Sequence, residues 1–400
     1  MQTKTKSKSW TLPRHQFVIR LAALVLFPWT RLKYHIKVEK CPELRKRQCL
    51  VVMNHQTAFD QFFVSMALFP RHVYFVASED LFSLGFLSKL LRWAVAPIPI
   101  KKQTTDVQAV KTCIKVAREG GTICLAPEGN RTFSGLPCYT NPAITPLVKK
   151  LGLPLAIFRI EGGYGIQPRW SDVCRKGRMR AYVSRIIEPE EYNVLSNEAL
   201  FALIQKELYV DETQNKQEFH HKRLAEYLER AMYVCPWCGL AEFHSENDLI
   251  TCKSCGRQIR YLPNQQLQGV GCDFPFPYVA PWYDYQCNFV RELDTTAYVE
   301  KPLYQDIVTL SLVEPYKRKR LLAENAKLTL YGNRLQAGNL TLFFNDINVI
   351  TVLGKNKLNI YHTDALYQIK GLPRFNALKY MNIFYRNKNQ QTGQGEFLGM

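Results

Sequence analysis

Two short groups of polar residues could carry acid–base and anion-binding chemistry. His55 and Asp60 follow the apolar run CLVVM (49–53), and a helical pattern begins at Asp60. An imidazole beside a carboxylate is the minimal apparatus of general base catalysis, because the carboxylate orients the ring and stabilises the imidazolium. Five residues turn a helix by about 500°, so the two side chains can meet only if His55 lies on a loop. Alternatively, Asp60 merely caps the helix.

The second group, PEGNRT, follows the apolar run TICLA (122–126) and contains Glu128, Gly129 and Arg131. Glycine permits a sharp turn, and a guanidinium group suits phosphate. The alternative is a solvated loop with an ion pair between Glu128 and Arg131. Both groups follow a predicted strand, and open α/β sheets bind their ligands at the carboxyl ends of strands. The two groups are therefore predicted to form one site.

Four cysteines form two C-x2-C-G motifs, Cys235/Cys238 and Cys252/Cys255, with 13 residues between them. Two such turns can direct four thiolates at one point, which is the arrangement of a structural zinc site. A redox dithiol would need only one of the pairs. Because four thiolates close the coordination sphere, the metal is expected to stabilise the fold rather than to catalyse.

Apolar runs and helical patterns alternate through the first half of the chain. This alternation predicts an α/β fold with a largely parallel sheet flanked by helices. The predicted strands are 49–53, 73–77, 122–126, 153–158 and 178–187, and the predicted helices are 60–69, 86–94, 106–120 and 142–152. From about residue 305, short alternating segments predict strands, and residues 374–381 predict a terminal helix.

The composition is that of a globular protein with a strong excess of positive charge. Lys and Arg total 53 against 34 Asp and Glu, giving a formal net charge of +19, and 46% of the residues are hydrophobic. This excludes a wholly disordered chain. A surface this basic suits nucleic acid, anionic lipid or phosphorylated metabolites, and the composition alone does not choose among them.

The amino-terminal arm combines basic residues with the apolar run Phe17–Trp29, which Arg20 interrupts. Thirteen residues as a helix measure about 20 Å, too short to span a bilayer. We interpret the arm as an interfacial helix on an anionic membrane surface. An ordinary core helix and a secretory signal remain alternatives.

The segments NHQTAFD and APEGNRTFSG resemble the N-H-x4-D and F-P-E-G-T-R-S signatures of the lysophospholipid/glycerolipid acyltransferases, of the 1-acylglycerol-3-phosphate acyltransferase type. APIPIKK (96–102) resembles the family block that ends in a basic residue, with Lys102 in place of the usual Arg. Ala126 and Asn130 depart from the family pattern, where Phe and Thr are usual. The resemblance covers about residues 17–210.

The resemblance implies acyl transfer from acyl-CoA or acyl-carrier protein to the free hydroxyl of a lysophospholipid, with no catalytic cofactor. The preferred acceptor is 1-acyl-glycerol-3-phosphate, which would give phosphatidic acid; another lysolipid is the alternative. It also implies His55 as the general base, oriented by Asp60. The residues implied to bind the acceptor are Glu128, Gly129, Arg131, Lys101 and Lys102.

We divide the chain into six segments. They are the membrane-interface arm (1–35), the acyltransferase domain (36–210), a helical connector (211–234), the zinc ribbon (235–260), a Pro- and aromatic-rich linker (261–304) and a small β-rich domain (305–400). The strands of the last segment, followed by a short helix, faintly resemble a pleckstrin-homology or GRAM module, and a generic small β domain is the alternative.

The predicted location is the cytoplasmic face of a membrane, with peripheral or monotopic attachment, and no nucleic acid partner is expected. A zinc-ribbon nucleic-acid-binding protein is an alternative, but it leaves both polar groups without a role. A non-catalytic lipid-binding protein is another, and the intact His55 and Asp60 argue against it.

Overall fold

The computed structural model of the chain describes residues 9–83, 85–100, 106–314, 319–363, 365–393 and 395–400. The chain divides into two units. Unit 1 comprises Met1–Arg131, Pro137–Gly163 and Arg178–Val210, and unit 2 comprises Thr132–Leu136, Tyr164–Gly177 and Asp211–Met400. Two short segments from the amino-terminal half of the sequence, 132–136 and 164–177, thus belong to unit 2, and we call them the two excursions.

Strands and helices alternate through residues 13–208. The helices are α1 (Pro13–Tyr34), α2 (Pro42–Lys46), α3 (Asp60–Leu68), α4 (Phe86–Ala94), α5 (Val107–Arg118), α6 (Ile144–Leu151), α7 (Gly163–Ile166), α8 (Pro189–Asn193) and α9 (Asn197–Leu208). The strands are β1 (Ile36–Val38), β2 (Leu50–Met53), β3 (Val73–Ser78), β4 (Ile98–Ile100), β5 (Thr122–Leu125), β6 (Leu155–Glu161) and β7 (Met179–Ile187).

The seven strands of unit 1 form one sheet in the order β1-β7-β6-β2-β5-β3-β4. Neighbouring strands are parallel except β6 and β7, which are antiparallel. All four residues of β2 are buried, as expected for a central strand of a parallel sheet that is covered on both faces. The prediction of an α/β fold with a largely parallel sheet is confirmed.

The second half of the chain is mostly β-structure. Its strands are β8 (Val234–Cys235), β9 (Gly239–Leu240), β10 (Phe243–Glu246), β11 (Leu249–Cys252), β12 (Gln258–Tyr261), β13 (Leu267–Val270), β14 (Tyr304–Val313), β15 (Arg320–Leu330), β16 (Arg334–Ala337), β17 (Leu340–Phe343), β18 (Ile347–Leu353), β19 (Lys357–His362) and β20 (Leu366–Gly371). Among the residues that the structure describes there, the α-helices are α10 (Val279–Glu292) and α11 (Ala377–Thr392).

The strands of unit 2 pair antiparallel throughout. A four-stranded sheet has the order β10-β11-β12-β13, and a seven-stranded sheet has the order β17-β16-β15-β14-β20-β19-β18. Helix α11 contributes most of its residues to the core of this unit. The helix predicted at 374–381 is present, but it begins at Ala377 and ends at Thr392.

The two excursions lie in the core of unit 2. Phe133 and Trp170 have almost no exposed surface. The Tyr164 hydroxyl donates to the Phe133 carbonyl over 3.2 Å, and the Arg230 guanidinium donates to the Trp170 carbonyl over 2.8 Å. Segments 132–136 and 164–177 are thus structural parts of unit 2.

Two segments differ from their predictions. The connector at 211–234, predicted to be helical, contains the 3-10 helices Glu212–Gln214 and Leu228–Arg230 and no α-helix. The linker predicted at 261–304 instead contains β13 and α10. Trp282, Gln286 and Val290 are buried along one face of α10, so this segment packs as part of a folded unit.

Candidate functional site

His55 and Asp60 meet as the loop hypothesis requires. His55 lies on the loop after β2, and Asp60 is the first residue of α3. The imidazole Nδ1 is 2.8 Å from Asp60 Oδ2, so Nδ1–H donates to the carboxylate and Nε2 is the basic nitrogen. The His55 side chain retains 27% exposure, whereas that of Asp60 has none. The pair can therefore act as a base on a molecule that approaches from outside.

Three further donors hold the Asp60 carboxylate in place. The Gln56 N–H donates to Oδ2 over 2.7 Å, and the Thr57 N–H and hydroxyl donate to Oδ1 over 2.8 and 2.7 Å. Hydrogen bonds to an ionised carboxylate are stronger than those between neutral groups. The loop between β2 and α3 is thus wrapped around Asp60, which fixes the orientation of His55.

The two polar groups are brought together at one edge of the sheet, as predicted. Strands β2 and β5 are parallel neighbours, with Leu50 opposite Ile123, so their carboxyl ends lie side by side. The main-chain N–H of His55 is 3.4 Å from Glu128 Oε1. The edge therefore carries the base and the loop that contains Glu128 on adjacent strands.

The carboxyl group of Glu128 has a raised pKa. Although the residue keeps some exposed surface, its carboxyl group lies deep, and this burial raises the pKa of Glu128 to about 8. The N–H groups of Cys138 and His55 oppose the rise in pKa, and the charge of Asp60 adds to it. A neutral Glu128 avoids placing a second negative charge beside Asp60 near neutral pH.

Gly129 and Arg131 complete the loop after β5. Gly129 has φ +64°, which favours glycine at this turn. Arg131 is buried, and this burial lowers the pKa of its guanidinium, whereas the nearby carboxylate of Asp60 favours the cation. A buried cation near the base is suited to hold an anionic group of a substrate.

Sequence reasoning assigned no role to Asn54. Its side-chain amide donates to the Ile160 carbonyl over 2.9 Å, and its side-chain oxygen accepts from the Ile160 N–H over 2.8 Å. These two bonds fix the residue before His55 to β6. The predicted ligands Lys101 and Lys102 lie outside the described residues.

The four predicted metal ligands also come together. Sγ of Cys235 is 3.8 Å from Sγ of Cys255, and Sγ of Cys238 is 3.6 Å from Sγ of Cys252. All four sulfur atoms lie within 4.8 Å of one another. Tetrahedral zinc with Zn–S bonds of about 2.3 Å requires sulfur atoms about 3.8 Å apart, so the cluster fits zinc.

Helix α1 carries apolar residues both on its buried side and on its exposed side. One side is buried and includes Ile19, Ala23 and Tyr34. The other side exposes large apolar residues, as does the short helix α4. These residues are Phe17, Leu21, Leu24, Val25, Trp29, Leu32, Phe86, Leu87, Leu90 and Trp93. Among the described residues, no helix has the length and apolar character needed to cross a membrane.

Comparison with known proteins bears on the segment that carries this site. Residues 35–156 match the protein-family model described as Acyltransferase. The segment that carries the site is therefore similar to the acyltransferase family. The acyltransferase resemblance of the two signatures is therefore confirmed for the part of the chain that carries His55, Asp60, Glu128 and Arg131.

Several relatives are similar to the same part of the chain. The chloroplastic 1-acyl-sn-glycerol-3-phosphate acyltransferase LPAT1 of Arabidopsis thaliana is 24% identical over 195 residues, which cover 46% of this chain and 52% of that protein. The 1-acyl-sn-glycerol-3-phosphate acyltransferase of Bacillus subtilis is 18% identical over 169 residues, covering 42% of this chain and 81% of that protein. The chain matches about half the length of its plant relatives.

One solved structure is also similar to this chain, with a low TM-score and low sequence identity. The 1-acyl-sn-glycerophosphate (LPA) acyltransferase PlsC from Thermotoga maritima gives a TM-score of 0.37 at 18% sequence identity, and the match covers 48% of this chain and 89% of that one.

Proposed function

We propose that the chain is an O-acyltransferase that acylates the free glycerol hydroxyl of a lysophospholipid. The preferred acceptor is 1-acyl-glycerol-3-phosphate, which gives phosphatidic acid. The observation that carries the proposal is the 2.8 Å bond from His55 to the buried Asp60, beside the Glu128–Arg131 loop within an acyltransferase domain. The names of the similar proteins support the choice of acceptor.

The reaction needs one base and no covalent enzyme intermediate. His55 Nε2 takes the proton of the acceptor hydroxyl while Asp60 stabilises the imidazolium. The acceptor oxygen attacks the carbonyl carbon of the acyl thioester and forms a tetrahedral oxyanion. Collapse of that intermediate breaks the C–S bond, and the imidazolium returns its proton to the departing thiolate. Either acyl-CoA or acyl-carrier protein supplies such a thioester.

The acceptor phosphate is proposed to bind to Arg131, with Lys101 and Lys102 as further cationic groups. The buried guanidinium of Arg131 supports this role, because a desolvated cation binds an anion more strongly than an exposed one. The neutral form of Glu128 would keep the pocket free of a competing negative charge.

A lysophospholipid lies in a membrane, so the enzyme must reach a bilayer surface. The exposed apolar faces of α1 and α4 support docking at that surface, and Arg14, Arg20 and Arg31 on α1 suit anionic headgroups. We propose that this surface, on the cytoplasmic side, holds the protein as a peripheral or monotopic enzyme.

The second unit is proposed to contain a structural zinc ion and a pleckstrin-homology- or GRAM-like module. The sulfur–sulfur distances support the zinc, which would be held by Cys235, Cys238, Cys252 and Cys255. The antiparallel sheet β14–β20, followed by the single helix α11, supports the module. Zinc closed by four thiolates supplies folding energy and no catalytic group.

The decisive experiment incubates the purified chain with labelled acyl-CoA and acyl-carrier protein and a panel of lysolipids, then identifies the products. His55→Ala should abolish transfer while thermal unfolding stays close to that of the wild type, because the imidazole is partly exposed. His244→Ala, an exposed histidine on β10, is the matched control. Wild-type turnover in His55→Ala would refute the mechanism.

A further inference from the structure

The loop that carries His55 leaves the sheet beside the carboxyl end of β6. We call residues 54–59 the base loop. Strands β2 and β6 are parallel neighbours in the sheet. Where β2 ends, the side-chain amide of Asn54 continues the pairing, because it bonds both the N–H and the carbonyl of Ile160. The base loop therefore begins at a fixed point on β6.

Two glycines follow β6 and meet the base loop. Gly162 has φ +80°, which favours glycine and turns the chain sharply. Gly163 comes next, is buried, and begins α7. A Cβ on Gly163 would lie 2.5 Å from Gln56 Cβ and 3.3 Å from Thr57 Cγ2. Carbon atoms pack at about 3.5–4.0 Å, so the base loop occupies the space that a side chain at position 163 would need.

The two residues that lie against Gly163 are also residues that hold Asp60. The main-chain N–H groups of Gln56 and Thr57 donate to the Asp60 carboxylate over 2.7 and 2.8 Å. The same carboxylate accepts from the His55 ring over 2.8 Å. Hydrogen bonds weaken steeply as their geometry departs from linear and short. A shift of Gln56 would therefore loosen Asp60 and change the direction of the imidazole.

Glycine at position 163 supplies space rather than backbone freedom. Its φ lies outside the left-handed region, so alanine can adopt the same backbone conformation. In a helix, alanine is more favourable than glycine by about 1 kcal/mol. The close approach of the base loop is therefore the feature that glycine at this position accommodates.

We propose that Gly163 is a positioning residue for the general base, acting through Gln56 and Thr57 on Asp60. This inference rests on the proposed function, in which His55 is the base. Gly163 carries no reacting group and acts through the position of the base loop. A side chain at position 163 should therefore slow the chemical step and leave the binding of both substrates intact.

The first test is Gly163→Ala. With a short-chain, water-soluble 1-acyl-glycerol-3-phosphate, kcat should fall about 10- to 100-fold, because a displacement of about 1 Å misaligns the base. KM for the acceptor and for the thioester should stay within about threefold. Wild-type kcat in a folded Gly163→Ala protein would overturn the proposal. A rise in KM without a fall in kcat would also overturn it.

Gly121→Ala is the matched control for a crowded glycine. A Cβ on Gly121 would lie 2.6 Å from Val116 Cγ1 and 3.1 Å from the Tyr74 ring, and its φ is also outside the left-handed region. Gly121 belongs to the same unit as the base loop. Gly121→Ala should lower the thermal transition but keep kcat within about twofold. An equal loss of kcat in both variants would overturn the proposal, since that pattern indicates general destabilisation.

A double variant tests the route through Gln56. Gln56→Gly removes the Cβ that lies closest to position 163, so adding Gly163→Ala in this background should change kcat by less than about threefold. The comparison also serves if Gly163→Ala alone fails to fold. A further loss of tenfold or more on adding Gly163→Ala would show that the effect does not pass through Gln56, and it would overturn the proposal.

A readout that needs no turnover separates this inference from the proposed function. Amide hydrogen exchange at Gln56 and Thr57 should quicken in Gly163→Ala, because their bonds to Asp60 open more often, and should keep the wild-type rate in Gly121→Ala. If the wild type shows no acyl transfer, the proposed function fails, and the exchange rates still decide whether Gly163 positions the base loop. Unchanged exchange in a folded Gly163→Ala protein would overturn the positioning role.

Discussion

At the scale of single residues, the site depends on a carboxylate that never reaches solvent. Asp60 accepts bonds from the His55 ring, from two main-chain N–H groups and from the Thr57 hydroxyl. Each of these donors forms a hydrogen bond with a carboxylate oxygen of Asp60. The orientation of the base and the folding of its loop therefore rest on the same side chain.

Asp60→Asn should lower kcat by about 10²–10⁴-fold, because an amide nitrogen would face donors and His55 would lose its orienting partner. The buried donors left unpaired should also reduce the free energy of unfolding by about 1–3 kcal/mol. Steady-state kinetics and denaturant unfolding measure the two effects. Asp346→Asn, at an exposed position, is the control. A folded Asp60→Asn protein with wild-type kcat would contradict this role.

Glu128→Gln tests the raised pKa of Glu128. A carboxyl whose pKa is about 8 when folded and about 4.5 when unfolded stabilises the fold fully below pH 4.5. That contribution is lost as pH rises toward about 8, with a slope of at most ~1.4 kcal/mol per pH unit. The stability of Glu128→Gln relative to the wild type should therefore increase from pH 5 to pH 8. Denaturant titrations at several pH values measure it, and a pH-independent difference would count against the raised pKa.

The main parts of the candidate site could be predicted because they follow strands at fixed spacing. His55 and Asp60 are close in sequence, and so are Glu128 and Arg131. Asn54 could not be given a role, since its partner is a main-chain group 106 residues away. No spacing rule predicts a bond of that kind, because it depends on the tertiary fold.

At the scale of elements, β2, β3, β5 and β6 were predicted within a few residues because each is a short apolar run between turns, whereas the three-residue strands β1 and β4 were not predicted. The antiparallel β7 was predicted as a strand, but its direction depends on the connection before it, which carries an excursion into unit 2. Helix α10 was missed because the Pro- and aromatic-rich run that contains Pro281 shows no clear helical period. Proline is tolerated in the first turn of a helix, where its missing N–H has no partner to lose.

Leu24→Glu tests the apolar face of α1. Leu24 is 74% exposed, so the change should leave the thermal unfolding of the protein unaltered. It should weaken binding to anionic vesicles by about tenfold or more, because it removes buried apolar area and adds charge repulsion. Vesicle sedimentation measures the binding. Val194→Glu, at a position that is 83% exposed in the same unit, should bind as the wild type. Equal binding by Leu24→Glu would show that this face does not meet the bilayer.

At the scale of the whole molecule, the cysteine cluster should decide whether unit 2 is stable. Cys235 and Cys252 are buried in the same hydrophobic core as Trp282 and Phe384. Four thiolates without a cation at that place would repel one another, so metal binding and folding should be coupled.

The purified protein should therefore contain one zinc ion per chain, measured by elemental analysis. The double change Cys235→Ser and Cys252→Ser should release it and destabilise the chain by several kcal/mol, seen as an earlier thermal transition. Cys41→Ser, outside the cluster, should keep both the zinc and the transition temperature. A metal-free wild-type protein with the same stability would refute the assignment.

The two excursions into unit 2 also affect how the protein folds while it is being synthesised. Residues 132–136 and 164–177 are made early, but the rest of their unit lies at 211–400. At about 5–20 residues per second, a ribosome needs roughly 10–40 s to add that remainder. During this interval Phe133 and Trp170 have no core to enter, so the nascent chain exposes both and offers a chaperone a binding site. Segments 132–136 and 164–177 thus cannot reach their final packing until residues 211–400 have been made, and a gene fragment that stops after residue 210 should yield aggregated protein.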